Sequence, residues 1–285
     1  MSVVIRLWRA VDWRVRKFLH AARRFPTTLA AWLALYRGIS RYTVIDEAAV
    51  RATRKSDTIF IFGSGYSLND ITPEGWREIA RHDTLGFNFF VHQNFIRMDY
   101  HLVREVARQD IGDRWKADAA EYFGMAKASP HYANTIYLVQ SGFRAINGNR
   151  VIGHGFMPVA NRVFLWRTII GQHLPSESID RGLVHGQGTL AECINFAALM
   201  GWKRIVLAGV DLYDRRYFWL PKDQPREMNN SVDVTHSTAL NGLVELMRDW
   251  KAYYDARGIE LYVHNPRSLL AQVMPVWPQP PGDRQ

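Results

Sequence analysis

From residue 58 onward, short and almost wholly apolar runs alternate with longer segments of helical period. The runs are Thr58–Phe62, Thr84–Phe87, Tyr100–Val103, Thr135–Val139, Arg204–Ala208 and Glu260–Val263. Each suits a strand buried on both faces of a parallel sheet. Helical spacing marks Pro73–Arg81, Arg114–Ala128, Thr189–Met200 and Leu240–Arg257. The alternation predicts one doubly wound, Rossmann-like α/β domain over residues 57–275. Residues 141–188 interrupt it, being rich in Gly, Asn, His and Arg. They read as an irregular functional loop or cap, in which Pro158–Gly171 can be helical. The polar, proline-containing stretch 217–236 reads as a lid, and 276–285 as a flexible, proline-rich tail.

The first 41 residues follow a different pattern. Val4, Leu7, Trp8, Val11, Val15, Phe18, Leu19 and Ala22 fall on one helical face, with Arg6, Arg9, Arg16, Lys17, Arg23 and Arg24 largely opposite. Pro26 is expected to stop this helix, and a second apolar segment, Leu29–Tyr36, follows. Neither segment reaches the roughly 20 apolar residues of a membrane span. Charges also come too early and too often for a secretory signal. Basic residues opposite Trp, Phe and Leu suit a helix lying in a membrane surface. Docking on the domain, or on a second copy of the chain, is the alternative.

Charge sharpens this division. The chain has a net charge of +9, yet residues 1–41 hold nine Arg and Lys against one acid, Asp12, so the body is nearly neutral. A nucleic-acid-binding body would carry the charge on its fold, so none is expected as a partner. The single cysteine, Cys193, excludes an internal disulfide and lies in an apolar helical pattern, as a packed core thiol would.

Candidate chemistry gathers where apolar runs end. Ile59–Phe62 leads into Gly63-Ser64-Gly65, then Ser67 and Asn69. A glycine turn after a central strand is where open α/β sheets bind nucleotides, although an ordinary tight turn looks the same. Ser67, Asn69 or Asp70 can cap the helix that follows. Asn88 ends the second strand, placed to read a base or a sugar or to satisfy a turn. Gly188 and Thr189 open a helix whose free N–H groups suit a phosphate. Asp211, Tyr213 and Tyr217 follow Arg204–Ala208. Tyrosine hydroxyls can donate to a phosphate without adding charge, or can simply pack an edge of the core. Asp211 and Asp214 look like a metal-binding carboxylate pair, but such pairs are common and no metal is expected. His236 can take a proton near neutral pH, and the adjacent Ser237 can cap the next helix. Neither GxSxG nor GxxxxGK[ST] occurs.

In this order GSGYSL, GFNFF, GWKRIVLAGVDLY, THS and GIELYVHNPRSLLAQVMP resemble the bacterial sialyltransferases of glycosyltransferase family 42, over about residues 57–275. The resemblance implies a Rossmann-like domain with a lid that uses a CMP-activated sugar, with no metal and no cofactor. It implies His236 as general base on the acceptor hydroxyl, and Tyr213 and Tyr217 on the departing phosphate. It also implies Gly63, Ser64, Gly65, Ser67 and Asn88 along the CMP site, with Gly188 and Thr189 near the sugar or phosphate. Asp211 is counted among the substrate-binding residues. The chain departs from the family pattern at Ser64, Tyr66, Phe89 and Arg104. These departures leave the sugar open among sialic acid, another nonulosonic acid and Kdo. Arg104 can pair with a donor carboxylate or phosphate, or with Glu105 or Asp110.

The function expected is inverting transfer of an acidic sugar to a glycan of a bacterial glycolipid or surface polysaccharide. The place expected is the inner face of the cytoplasmic membrane, held peripherally through residues 1–41, with a homo-oligomer possible. The rivals are phosphoryl transfer, as in MptE-like pterin pyrophosphokinases with a GSGPSL-type first turn, and a non-catalytic nucleotide-binding scaffold of a polysaccharide complex.

Overall fold

The computed structural model describes residues 22–104, 106, 114–213, 216–221 and 242–278. His236, Ser237, Asp214, Glu105, Asp110, most of the expected lid and the first half of the arm lie outside the described residues. The strands are β1 (Thr43–Ile45), β2 (Thr58–Phe62), β3 (Asp83–Phe87), β4 (Tyr100–Val103), β5 (Ile136–Gln140), β6 (Arg162–Trp166), β7 (Thr168–Ile169), β8 (Leu183–Val184), β9 (Arg204–Ala208) and β10 (Glu260–Val263). The helices are α1 (22–38), α2 (Glu47–Arg51), α3 (Pro73–Ile79), α4 (Arg114–Ala128), α5 (Ile146–Gly153), α6 (Thr189–Met200) and α7 (Leu243–Asp255).

Eight strands form one sheet in the order β1-β6-β5-β4-β3-β2-β9-β10, each pair parallel. Successive side chains of a strand point to opposite faces, so each strand feeds two cores. Ile59 and Ile61 face α6 and α7, while Phe60 and Phe62 face α3, α4 and α5. The sheet is therefore covered on both sides, as apolar runs without alternation require. Cys193 is buried in α6, where burial raises its thiol pKa.

Several expectations change. Residues 141–188 are not irregular throughout: within turns and coil they contain α5, β6 and the two-stranded β7–β8 pair. Pro158–Gly171 is not helical but supplies β6, which pairs with β5 and β1. An apolar run such as Val-Phe-Leu-Trp has no decisive period, and pairing with a neighbour settles it. Pro26 does not end the helix: α1 continues through it to residue 38. Part of the arm belongs to the domain, because Ala31 and Leu35 are buried and Leu35 joins the core beside α5. A Cβ on Gly38 would sit 2.7 Å from Gly153, so the missing side chain lets α1 meet α5. The helix after the first turn is capped by Thr72, whose hydroxyl accepts from Gly75 N at 3.1 Å; Ser67, Asn69 and Asp70 make other bonds. α7 begins at Leu243, after Gly242 in a left-handed conformation. Packing also runs past residue 275, since Val276 bridges Val263 and Trp277 packs edge-on against Phe60.

Candidate functional site

From β2 the chain crosses outward through β3, β4, β5 and β6, and then returns to place β9 on the other side of β2. The turns after β2 and β9 diverge from this point, and open α/β sheets bind ligands in the crevice so formed. The glycine turn sits there. Gly63 N donates to Ala208 O at 2.8 Å, and Gly65 N to Gly209 O at 2.7 Å. A Cβ on Gly63 would lie 2.5 Å from Gly209 O, and one on Gly65 would meet Gly209 O at 2.7 Å and the Asp211 carboxylate. Neither glycine is left-handed. They are needed because two turns pack backbone to backbone.

Asp211 ties this corner together. It is 3% exposed and accepts from Ser67 N (2.9 Å), Ser67 Oγ (2.5 Å) and Asn265 Nδ2 (2.9 Å). Asp211 and Ser67 thus spend these polar groups on each other and hold the turn's shape. Asn265 Oδ1 accepts from Arg267 N at 3.0 Å, which orients the amide, and Nδ2 also donates to the Tyr213 hydroxyl at 3.1 Å. Tyr213, 41% exposed, keeps its own proton for another acceptor. Tyr217 bridges Gly65 and stacks on Trp219 with ring centroids 4.3 Å apart. Phe218 N donates to Ser64 O at 3.3 Å, and Asn69 Nδ2 to Phe218 O at 3.0 Å, so the first residues of the expected lid lie against the glycine turn. Gly63, Ser64, Gly65, Ser67, Asp211, Tyr213 and Tyr217 therefore meet in one corner.

Asn88 stands one strand away, after β3. It and Leu212 are the non-glycine residues with left-handed backbone among the described residues, and both directly follow or closely follow strands at the crevice. Such strain gathers at functional sites because neighbours must over-determine it. Tyr122 supplies part of that support by donating its hydroxyl to Asn88 O at 2.8 Å. His101 Nε2, 2.5 Å from the same hydroxyl, must then carry the hydrogen. Burial pushes the His101 pKa down to about 3. Asn88 Oδ1 is buried without a hydrogen-bond partner among the described residues.

A second polar group lies at the ends of β4, β5 and β7. Arg104 pairs there with Glu192, and Glu192 Oε1 also accepts from Thr168 Oγ1 at 2.9 Å. Gln140 Nε2 donates to Thr168 Oγ1 at 2.7 Å. His185 Nδ1 is 3.3 Å from Glu192 Oε1 without hydrogen-bond geometry, and Glu192 Oε2 has no partner among the described residues. Glu192 is fully buried, one turn into α6 from Gly188 and Thr189. Gly188 has φ +144°, and no side chain caps the helix there. Arg104 thus answers a buried acid rather than standing open to a donor. Sequence reading missed both Glu192 and Asn265. An acid inside an otherwise apolar helix was the available signal for the first, and the His-Asn-Pro turn for the second.

Among the described residues no three His, Cys, Asp or Glu side chains are placed to share a metal ion, and no helix is long and apolar enough to cross a membrane. No protein-family model and no curated protein sequence matches the chain. Among solved structures the chain is similar to that of the sialyltransferase CstII from Campylobacter jejuni in complex with the substrate analogue CMP-3FNeuAc, at 14% identity. The match covers 78% of this chain and 86% of that one, with a TM-score of 0.43. A likeness at that level transfers no chemistry.

Proposed function

We propose that the chain is an inverting, metal-independent glycosyltransferase that moves an acidic sugar from its CMP donor to a glycan acceptor. The observation that carries this reading is the meeting of the Gly63–Gly65 turn with Tyr213 and Tyr217 at the point where the sheet order reverses. The order of sequence motifs, similar to that of family 42 sialyltransferases, supports the same reading. A nucleotide in this crevice finds the unpartnered Asn88 Oδ1, which can accept from an amino or hydroxyl group. Tyr213 offers its free proton to the phosphate. In the reaction the acceptor oxygen bonds to the anomeric carbon. The carbon–oxygen bond to the phosphate breaks, and CMP leaves with the electron pair. His236 takes the acceptor's proton, and hydroxyls of Tyr213 and Tyr217 stabilise the charge growing on the leaving phosphate. The acceptor is a glycan of a bacterial glycolipid or surface polysaccharide, met at the inner membrane surface.

Thermal shifts with CMP, CDP, UDP, GDP and ATP test the donor, because a ligand raises the melting point only if it binds the fold. CMP should stabilise selectively; stabilisation by ATP without CMP would sink the reading in favour of phosphoryl transfer. His236→Ala should lower turnover by roughly 100-fold while CMP still binds. Near-normal turnover removes His236 from the mechanism.

A further inference from the structure

A cleft of about 1020 Å³ opens between α1 and the carboxyl ends of β5 and β6. Arg24, Arg104, Arg144 and Arg167 line it, and no carboxylate does. Arg104 is paired with Glu192, whereas Arg144 and Arg167 are exposed and have no acidic partner among the described residues. The amino end of α5 also opens here, with no side-chain cap at Ala145 and no acid in its first turn. The positive end of a helix favours an anion, and here the exposed guanidinium groups of Arg144 and Arg167 point to the same charge. Besides Gln140, Ser141, Asn147 and Thr168, the rest of the wall is largely apolar. Trp32 packs edge-on against Tyr36 and Phe143, Phe143 meets Phe25, and Ile170 is 80% exposed at the rim. Positive charge beside exposed aromatic and aliphatic side chains complements an anion that carries hydrocarbon. α1 carries residues 22–24, the last of the basic amphipathic pattern seen in the sequence. Through Arg104 and Glu192 the cleft adjoins the start of α6.

We propose that this cleft seats the phosphate-bearing headgroup of a lipid, its chains leaving across Tyr36 and Ile170. Calling that lipid the glycan acceptor rests on the glycosyltransferase reading; headgroup binding does not.

Titration calorimetry on the full chain tests it with three soluble probes: short-chain phosphatidic acid, glycerol 3-phosphate and short-chain phosphatidylcholine. Phosphatidic acid should bind on the order of tenfold more tightly than either of the others, since it alone offers both the anion and the chains. Arg144→Gln with Arg167→Gln, both at exposed positions, should remove that preference and leave any CMP-induced thermal shift unchanged. Equal binding of phosphatidylcholine, equal binding of glycerol 3-phosphate, or wild-type preference in the double variant would each overturn the proposal. Headgroup binding in a chain that no cytidine nucleotide stabilises would instead overturn the glycosyltransferase reading and leave the lipid site standing.

Discussion

Asp211→Asn separates a residue that shapes the crevice from one that touches substrate. The carboxylate accepts three hydrogen bonds, two from Ser67 and one from Asn265, at 3% exposure. An asparagine of the same size can keep its oxygen towards Ser67 Oγ and Asn265. Its new NH₂ then faces Ser67 N, a donor against a donor. Leaving that buried N–H unpaired costs about 1–3 kcal/mol. The two surviving bonds lose their charge assistance, at about 1 kcal/mol each. The expected loss is therefore about 3–5 kcal/mol, read from urea or guanidinium unfolding. CMP affinity should fall as well, because the glycine turn is held by the same bonds. Ser67→Ala keeps the backbone N–H bond and should cost only about 1–2 kcal/mol. The double variant should show a coupling of about 1 kcal/mol, because the two side chains share a bond. If Asp211→Asn keeps full stability and loses only substrate binding, Asp211 is a contact residue and this reasoning is wrong.

Other outcomes follow from the same geometry. His101 has a folded pKa pushed down to about 3 by burial, against an ordinary 6.5, so below pH 6.5 the unfolded chain takes up a proton that the folded chain refuses. Stability should fall as pH drops from about 6.5 towards 3, by up to ~1.4 kcal/mol per unit from this group, and His101→Phe should flatten the slope of unfolding midpoint against pH. Gly65→Ala drives a Cβ onto Asp211 and Gly209 O and should cost about 1–3 kcal/mol, whereas Gly124→Ala, with open space and a helical position in α4, should gain about 0.5–1 kcal/mol. Equal denaturation midpoints for the two variants would contradict the close packing of the β2 and β9 turns. Deleting residues 1–21 should weaken binding to acidic vesicles and spare turnover on a soluble acceptor; a truncated chain that binds them as tightly as the full chain refutes the membrane role of that segment. Deleting residues 1–41 should also destabilise the domain, since it removes the buried Ala31 and Leu35.

What could be read locally was read well. The six apolar runs form strands in the sheet, because burial on both faces leaves its mark in consecutive residues. The glycine turn, Asn88, and the Asp211–Tyr213 segment could be placed after strands for the same reason, since strand ends show in the chain itself. β1 and β6 could not be read so readily. Thr43–Ile45 is only three residues long, and Arg162–Trp166 fits either period, so both take their conformation from each other and from β5. Partners far apart in sequence were equally hidden. Ser67 and Asp211 are 144 residues apart, and Arg104 and Glu192 are 88 apart. The sequence alone determined which segments are buried and where turns follow strands, because periodicity and glycine act within a few residues. Only the tertiary structure decided that β9 returns beside β2, that Asp211 braces a turn, and that α1 walls an arginine-lined cleft. Those depend on strand order and on hydrogen bonds across the sheet, and no local pattern encodes them.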